Sequence, residues 1–196
     1  MKHNSVAIIA AVKKLVKTVN DSPRNKFGRS VWKYHLELVA HYAVILARKL
    51  GADAEVVILA AYLHDYASLL DARHAAQHHL LGAKLAGEVL SKLGLPKQKI
   101  KAVQDCIFSH RGSVKEKKRT LEQKIVASAD AMSHFYYLPD MFFLAYGVHK
   151  LETEAGAAWL KAKLQRSWNK IVLPEARKMI AADRKLFLRV LNQVLK

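Results

Sequence analysis

Residues 54–65, Ala-Glu-Val-Val-Ile-Leu-Ala-Ala-Tyr-Leu-His-Asp, decide the fold of this chain, because an apolar segment ends there in two polar side chains. Its apolar positions recur at helical spacing from Val56 onward, and Asp53, a typical N-cap residue, precedes them. A charged carboxylate at the end of such a helix is costly unless it is paired or bound to a metal ion. The stretch therefore predicts a core helix that ends at His64 and Asp65.

The segments on both sides of this helix also have the helical period. Before it, apolar residues follow i, i+3, i+4 spacing from Leu38 to Leu50, and Gly51 is expected to end that helix. Further helices are predicted near His78, after Pro96, after the capping box Thr120-Leu121-Glu122-Gln123, and over Glu152 to Trp168 and Pro174 to Leu195. No strictly alternating stretch is long enough to predict a strand. The longer loops are predicted at Asn20 to Ser30, Tyr66 to Ala76, Arg111 to Arg119 and around Pro139.

Length and composition agree with one all-α domain over residues 1–196. A chain of 196 residues is long enough for one core, and two domains are not expected. Only 8 Gly and 4 Pro are present, which disfavours a turn-rich all-β fold. Cys106 is the single cysteine, so the sequence excludes an intramolecular disulfide and a cysteine-based zinc site.

The charge of the chain is strongly positive. There are 33 Lys and Arg residues against 16 Asp and Glu residues, a net charge of +17. Such a surface attracts phosphate-rich partners, namely nucleotides, nucleic acid or an anionic membrane, and the charge alone does not distinguish them. The longest apolar run, Val56 to Leu63, is far below the ~20 residues that a membrane-spanning helix needs. No membrane association and a cytoplasmic protein are therefore expected.

Several histidines and one further aspartate lie on the faces that the apolar pattern turns inward. His35 shares a face with Val39, and His110 follows Ile107 by three residues. Asp130 follows Val126 by four residues. His79, at the start of another helix, is a further candidate, and the adjacent His78 is the alternative at that position.

Imidazoles and carboxylates that converge on a core have one common physical explanation. Neutral His and ionised Asp are ligands of first-row transition metals, and the cation offsets the cost of burying them. An aspartate can also bridge two metal ions. Two ions ~3.5–4 Å apart can share a hydroxide and hold a phosphate group for in-line attack.

The order of these residues and their local contexts resemble the HD superfamily of metal-dependent phosphohydrolases. The resemblance covers about residues 30–135 and leaves 136–196 as C-terminal helices that pack on this core. Its motifs are His35-Leu-Glu-Leu-Val39, Ala60-Ala61-Tyr62-Leu63-His64-Asp65, His79-Leu-Leu-Gly82-Ala83, His110 and Ala127-Ser-Ala129-Asp130-Ala-Met-Ser133.

The resemblance implies an all-α bundle and a dinuclear metal centre, and His and carboxylate ligands accept Mn, Fe, Co, Ni or Zn. One metal ion would be bound by His35, His64, Asp65 and Asp130. Asp65 would bridge to a second ion, which His79 and His110 would also bind. In the motif His79-Leu-Leu-Gly82-Ala83, the spacing from the histidine to Gly82 and Ala83 favours His79 over His78.

One position departs from the family pattern. The family often has a lysine near the substrate phosphate shortly after His-Asp, and here Ser68 stands at that position. Three basic residues, Arg111, Lys115 and Arg73, are the candidates to bind the substrate in its place. Asp65 and Arg111 are the predicted catalytic residues.

Three functions are compatible with these residues. The favoured one is a phosphomonoesterase or phosphodiesterase that acts on a nucleotide or another small anionic phosphate ester. A di-iron oxygenase that cleaves inositol uses the same ligands in the same order, and oxygen uptake would identify it. A nucleic-acid- or nucleotide-binding protein with little turnover is the third, and its binding would depend steeply on salt concentration.

Overall fold

The computed structural model describes residues 4–112, 119–136 and 138–195, and these residues form an all-α structure without a strand. The predicted fold class is thus confirmed. The α-helices are α1 Ser5–Asn20, α2 Glu37–Leu50, α3 Ala54–Leu63, α4 Tyr66–Leu70, α5 His78–Lys92, α6 Lys97–Ser109, α7 Leu121–Tyr136, α8 Leu138–Phe142, α9 Thr153–Lys170 and α10 Pro174–Val194. They are joined by two π-helical segments, Trp32–Leu36 and Phe143–Val148, and a 3₁₀ segment, Ala72–Ala76.

Local signals set several of the helix ends. The Asp53 carboxylate accepts the backbone N–H groups of Glu55 and Val56 at 3.0 and 3.2 Å, so it caps α3 as predicted. Before α7, Thr120 Oγ1 accepts the Gln123 N–H at 3.3 Å, and Gln123 Oε1 accepts the Thr120 N–H at 2.6 Å. This reciprocal pair is the predicted capping box.

Helix α3 lies at the centre of the fold. Helices α1, α2, α6 and α7 all pack against it, and every residue from Glu55 to Leu63 is buried or, at Ile58, packed against the core. An apolar helix without a polar face is stable only when neighbours cover it on all sides. The end of α3 is therefore held inside the molecule, close to the helices around it.

Two segments that were predicted as loops are helical. Residues 66–76 form α4 and the 3₁₀ segment, and the region around Pro139 forms α8 and a π-helical segment. Ala67 and Leu69 of the first segment and Leu138 and Met141 of the second are buried. Burial against neighbouring helices stabilises these short helical turns, whose own length is too small for an independent helix.

The C-terminal helices pack beside α7. Leu160 and Leu164 of α9 are buried, as are Ile180 and Leu191 of α10, and both helices contact α7 and each other. This arrangement brings one face of α9 alongside the part of α7 that carries Asp130. Among the helices described, none combines the length and the apolar character that a membrane span requires.

Candidate metal centre

Four side chains from three elements meet at the end of α3. His64 and Asp65 follow α3 directly, His35 comes from the first π-helical segment, and Asp130 comes from α7. His35 Nε2 lies 3.1 Å from His64 Nε2 and 3.3 Å from Asp65 Oδ2. Asp130 Oδ1 lies 3.7 Å from His35 Nε2 and 3.8 Å from His64 Nε2. We call these four residues the inner cluster.

A second group of side chains lies on the other side of Asp65. Asp65 Oδ1 is 3.5 Å from His78 Nε2, and His78 Nε2 is 3.0 Å from His110 Nε2. We call Asp65, His78 and His110 the outer cluster. Because Oδ2 of Asp65 faces the inner cluster and Oδ1 faces the outer cluster, this one carboxylate joins the two.

The structure corrects one predicted ligand, since His78 and not His79 belongs to the outer cluster. Buried residues of α5 recur every four positions at Gly82, Ala86 and Leu90, and His78 continues this stripe. The side chain of His79 points aside, next to Phe108 at a ring-centroid distance of 5.9 Å. His79 lies three residues before Gly82, whereas His78 lies four residues before it and therefore on the buried stripe.

Backbone carbonyl groups orient three of the imidazoles. Nδ1 of His64 and of His78 each lies 2.8 Å from a carbonyl oxygen, and Nδ1 of His110 lies 2.5 Å from one. A carbonyl oxygen only accepts, so each Nδ1 carries the donated proton. In the neutral ring the lone pair is then on Nε2, the atom that faces the clusters.

Serine hydroxyl groups orient two further imidazoles in the same way. Ser133 donates its hydroxyl proton to the Asp130 carbonyl, so His35 Nδ1 donates to Ser133 Oγ at 2.9 Å. Ser167 donates to the Lys163 carbonyl, and His134 Nδ1 donates to Ser167 Oγ at 2.9 Å. Nε2 of His134 lies 4.0 Å from Asp130 Oδ1, at the edge of the inner cluster.

This arrangement of donor atoms fits metal ions. The Nε2 atoms of His35 and His64 are 3.1 Å apart, and those of His78 and His110 are 3.0 Å apart. Lone pairs on two such atoms repel each other unless a proton or a cation lies between them. Imidazole nitrogens with a fixed tautomer and shared carboxylates are typical of transition-metal sites. Within each of the groups His35–His64–Asp65 and Asp65–His78–His110, the potential ligand atoms lie within 4.8 Å of one another.

The electrostatics of the clusters favour ionised carboxylates. Burial alone would raise the pKa of Asp65, but the neighbouring His64 and His35 hold that pKa well below its usual range. Burial would lower the pKa of His64, yet the carboxylates of Asp65 and Asp130 raise it to about 9. The two carboxylates thus attract positive charge to the centre of the cluster.

The pKa of His110 is lowered, in contrast to that of His64. Burial, together with the charges of His64 and Lys170, holds it well below its usual range. The imidazole of His110 is therefore neutral, which is the form that binds a metal ion.

Two lysines of α9 belong to the site, and neither was predicted from the sequence. The Lys170 ammonium forms an ion pair with Asp130 Oδ2, and both side chains are largely buried, at 13% and 8% exposed. Lys163 lies one turn before Ser167 on the same face. The signal in the sequence is their spacing, since Leu160, Lys163 and Lys170 fall on one helical stripe, and a lysine on an apolar stripe is unusual.

Two pockets open onto the clusters. The first, about 260 Å³, is mostly apolar, and we call it the apolar pocket; its lining includes Phe27, Val31, Tyr34, Leu69, Met141 and Phe143. The second, about 810 Å³, carries several basic residues, and we call it the basic cleft; its lining includes Arg111, Trp159, Arg166, Asn169 and Lys170. His35, Asp65, His78, His134 and Lys163 line both pockets.

The structure separates the three predicted substrate-binding residues. Arg111 lines the basic cleft, where its guanidinium donates to the Ala76 carbonyl. Arg73 was expected at the site, but its side chain is 88% exposed, pairs with Asp71 and lines a different surface depression. The Asp71 carboxylate holds Arg73 there by ion pairing, so that part of the prediction is wrong. Lys115 lies outside the described residues.

Comparison with known proteins agrees with the fold. Residues 32–134 match the family model described as the HD domain. The chain is 34% identical over 110 residues to Ribonuclease Y of Thermoanaerobacter pseudethanolicus and to a Ribonuclease Y of Thermus thermophilus. The match covers 56% of this chain but only 20% and 17% of those relatives, so the chain spans about a fifth of their length.

Solved structures share the fold over nearly the whole chain. The Lin1889 protein of Listeria innocua superposes with a TM-score of 0.73 at 18% identity, covering 98% of this chain and 96% of that one. YpgQ of Bacillus subtilis gives a TM-score of 0.71 at 20% identity, covering 97% and 95%. A protein of Bacillus thuringiensis described as an HD-superfamily hydrolase gives 0.72 at 18% identity, covering 98% and 97%. The family model matches more than half of this chain, and the chain therefore belongs to the HD domain family.

Proposed function

We propose that this chain is a metal-dependent phosphohydrolase with a dinuclear centre. The observation that carries the proposal is the position of Asp65, which presents one carboxylate oxygen to the inner cluster and the other to the outer cluster. His35, His64, Asp65 and Asp130 would hold one divalent cation, and Asp65, His78 and His110 would hold the second. When bound, such a pair of cations lowers the pKa of a shared water and neutralises charge on phosphoryl oxygens.

The residues around the clusters would perform the remaining tasks. Lys170 fixes Asp130 by its ion pair, so Oδ1 of that carboxylate stays directed at the inner cluster. Arg111, at the wall of the basic cleft, would bind phosphoryl oxygens of the substrate and with Asp65 is the proposed catalytic residue. The apolar pocket would exclude water and accept the organic group of the ester.

The substrate class that fits best is a small phosphate mono- or diester, a nucleotide among them. The basic cleft suits anionic groups, and an apolar pocket of about 260 Å³ suits one compact organic group. A second candidate, a phosphodiesterase that acts on RNA, is favoured by the similarity to a segment of Ribonuclease Y and by the net charge of +17.

The test begins with metal analysis of the untagged protein. The expected result is two equivalents of a first-row transition metal per chain. Hydrolysis is then measured with Mn, Fe, Co, Ni or Zn on p-nitrophenyl phosphate, bis(p-nitrophenyl) phosphate, nucleotides and short RNA. Hydrolysis of an ester in a metal-dependent manner supports the proposal, and preferential cleavage of RNA supports the second candidate.

Two outcomes would refute both candidates. Oxygen uptake by the iron-loaded protein without release of phosphate would identify oxygenase chemistry. Tight, salt-sensitive RNA binding without cleavage at any metal would identify a binding protein.

A further inference from the structure

Lys163 has an unusual position in the molecule. It lies on the buried face of α9, between Leu160 and Ser167, which are both buried. Its side chain lines both the apolar pocket and the basic cleft, and thus lies where the two pockets meet beside the clusters. Among the described residues that line the apolar pocket, Lys163 is the single Lys or Arg.

Among the described residues, the ammonium group of Lys163 has no fixed partner. Within residues 4–112, 119–136 and 138–195, neither a hydrogen bond nor an ion pair holds it. Lys170, two helical turns further along the same face, differs because Asp130 neutralises it. A poorly solvated cation without a partner is unfavourable, and such groups in proteins are usually compensated by an anion.

The charges around Lys163 do not supply that compensation. Burial lowers its pKa, and Lys170 and Arg166 lower it further, against the opposing effect of Asp130 and Asp65. The carboxylates of Asp130 and Asp65 face the histidine clusters and, for Asp130, Lys170. An anion that enters between the clusters and α9 would therefore meet Lys163 as an available donor.

We propose that Lys163 is a substrate-binding residue whose ammonium contacts a phosphoryl oxygen of an ester held at the metal centre. The inference rests on the proposed function and adds a residue outside positions 32–134, which the family model matches. Charge-assisted N–H···O contacts to phosphate are among the stronger hydrogen bonds, and a lysine binds phosphate as a point charge. Helix α9 thereby completes the site from the C-terminal part of the chain.

The experiment compares three variants of the full chain. Lys163→Met keeps the aliphatic stem and removes the charge, and Lys163→Arg restores the charge. Lys161→Met is the matched control, because Lys161 is an exposed residue of the same helix. For each metal-loaded protein we would measure metal content, binding of inorganic phosphate by calorimetry, and kcat and KM for p-nitrophenyl phosphate.

Lys163→Met is expected to keep its metal content. It should bind inorganic phosphate at least about tenfold more weakly, because one charged contact to the anion is lost, and its KM should rise correspondingly. Lys163→Arg should recover most of this loss, and Lys161→Met should match the wild type.

The outcomes separate this inference from the proposed function. A Lys163→Met variant that keeps its metal ions and binds phosphate as tightly as the wild type would overturn the role of Lys163 alone. Loss of the metal ions from this variant would overturn it too, because Lys163 would then support the clusters and not the substrate. A wild type without bound metal and without hydrolysis would refute the proposed function itself.

Discussion

At the scale of single residues, Asp65 has the most demanding position. It follows the central helix directly, and its two oxygens face different histidine clusters. Asp130 also has a ligand atom within 4.8 Å of His64 and His110, but one of its oxygens pairs with Lys170, whereas both oxygens of Asp65 face histidines. Asp65 is thus the residue whose loss should affect both proposed metal positions.

The first prediction concerns this carboxylate. Asp65→Asn keeps the side-chain volume and removes the negative charge that both positions share, so bound metal should fall below one equivalent per chain and hydrolysis should be lost. Helix content measured by circular dichroism should stay unchanged. Asp105→Asn is the control, because the Asp105 carboxylate forms a surface ion pair with Lys101 on α6. Full metal content in Asp65→Asn would contradict the assignment.

The second prediction separates His78 from His79. His78→Ala should remove one of two metal ions, because Nε2 of His78 faces Asp65 and His110. It should also lower kcat at least about a hundredfold, because the lost ion no longer stabilises the negative charge of the transition state. His79→Ala should retain both ions, since its ring lies against Phe108. Metal analysis and steady-state kinetics measure both effects. A larger loss in His79→Ala would show that the outer cluster has been assigned wrongly.

At the scale of elements, the site depends on helix ends and on irregular helix. His64 and Asp65 follow the end of α3, His78 begins α5 and His110 follows α6. His35 lies in the π-helical segment Trp32–Leu36, and such segments are frequent at functional sites. Asp130 differs, because it lies in the interior of α7.

The third prediction tests the element that carries Asp130. Thr120→Ala removes the hydroxyl that accepts the Gln123 N–H in the capping box of α7, so the free energy of unfolding should fall by about 1 kcal/mol. Urea denaturation measures this change. Thr153→Ala is the control, because Thr153 is exposed at the start of α9 and that helix has no side-chain cap.

The control variant should change stability by less than about 0.5 kcal/mol. Equal stability losses in both threonine variants would show that the reciprocal bonds of Thr120 and Gln123 do not stabilise α7.

At the scale of the whole molecule, charge determines how an anionic substrate approaches. The net charge is +17, and part of this excess lines the basic cleft next to the clusters. Charges in a cleft focus the electrostatic field and increase the rate of association of an oppositely charged ligand.

The fourth prediction follows from this charge distribution. The value of kcat/KM for an anionic ester should decrease as NaCl is raised from low concentration to about 0.5 M, because salt screens the long-range attraction. Arg166→Gln, in the basic cleft, should reduce this salt dependence. Lys49→Gln should not, because Lys49 is exposed at the opposite end of α2, roughly 20 Å from the clusters. Identical salt profiles in all three proteins would contradict a steering role for the cleft.

The sequence by itself determined the features that depend on local interactions. Helical periodicity predicted the all-α fold and the central helix α3, and the capping residues Asp53 and Thr120 predicted where two helices begin. The same periodicity predicted that His35, His110 and Asp130 face inward, and the structure brings them to His64 and Asp65. These features follow from backbone hydrogen bonding and from the burial of apolar faces, which act over a few residues.

Only the tertiary structure decided the features that depend on packing between distant segments. His78 and His79 differ by one position. Gly82 lies on the buried face of α5, where a Cβ would come within 3.4 Å of the His64 carbonyl and of Ile107, and His78 shares this face one turn earlier. Lys163 and Lys170 reach the site because α9 packs against α7. These two helices are separated in the chain by α8 and a π-helical segment. Helix α4, Tyr66–Leu70, forms because neighbouring helices bury Ala67 and Leu69. Contacts between segments far apart in the chain form only when the whole core packs, and no local pattern encodes them.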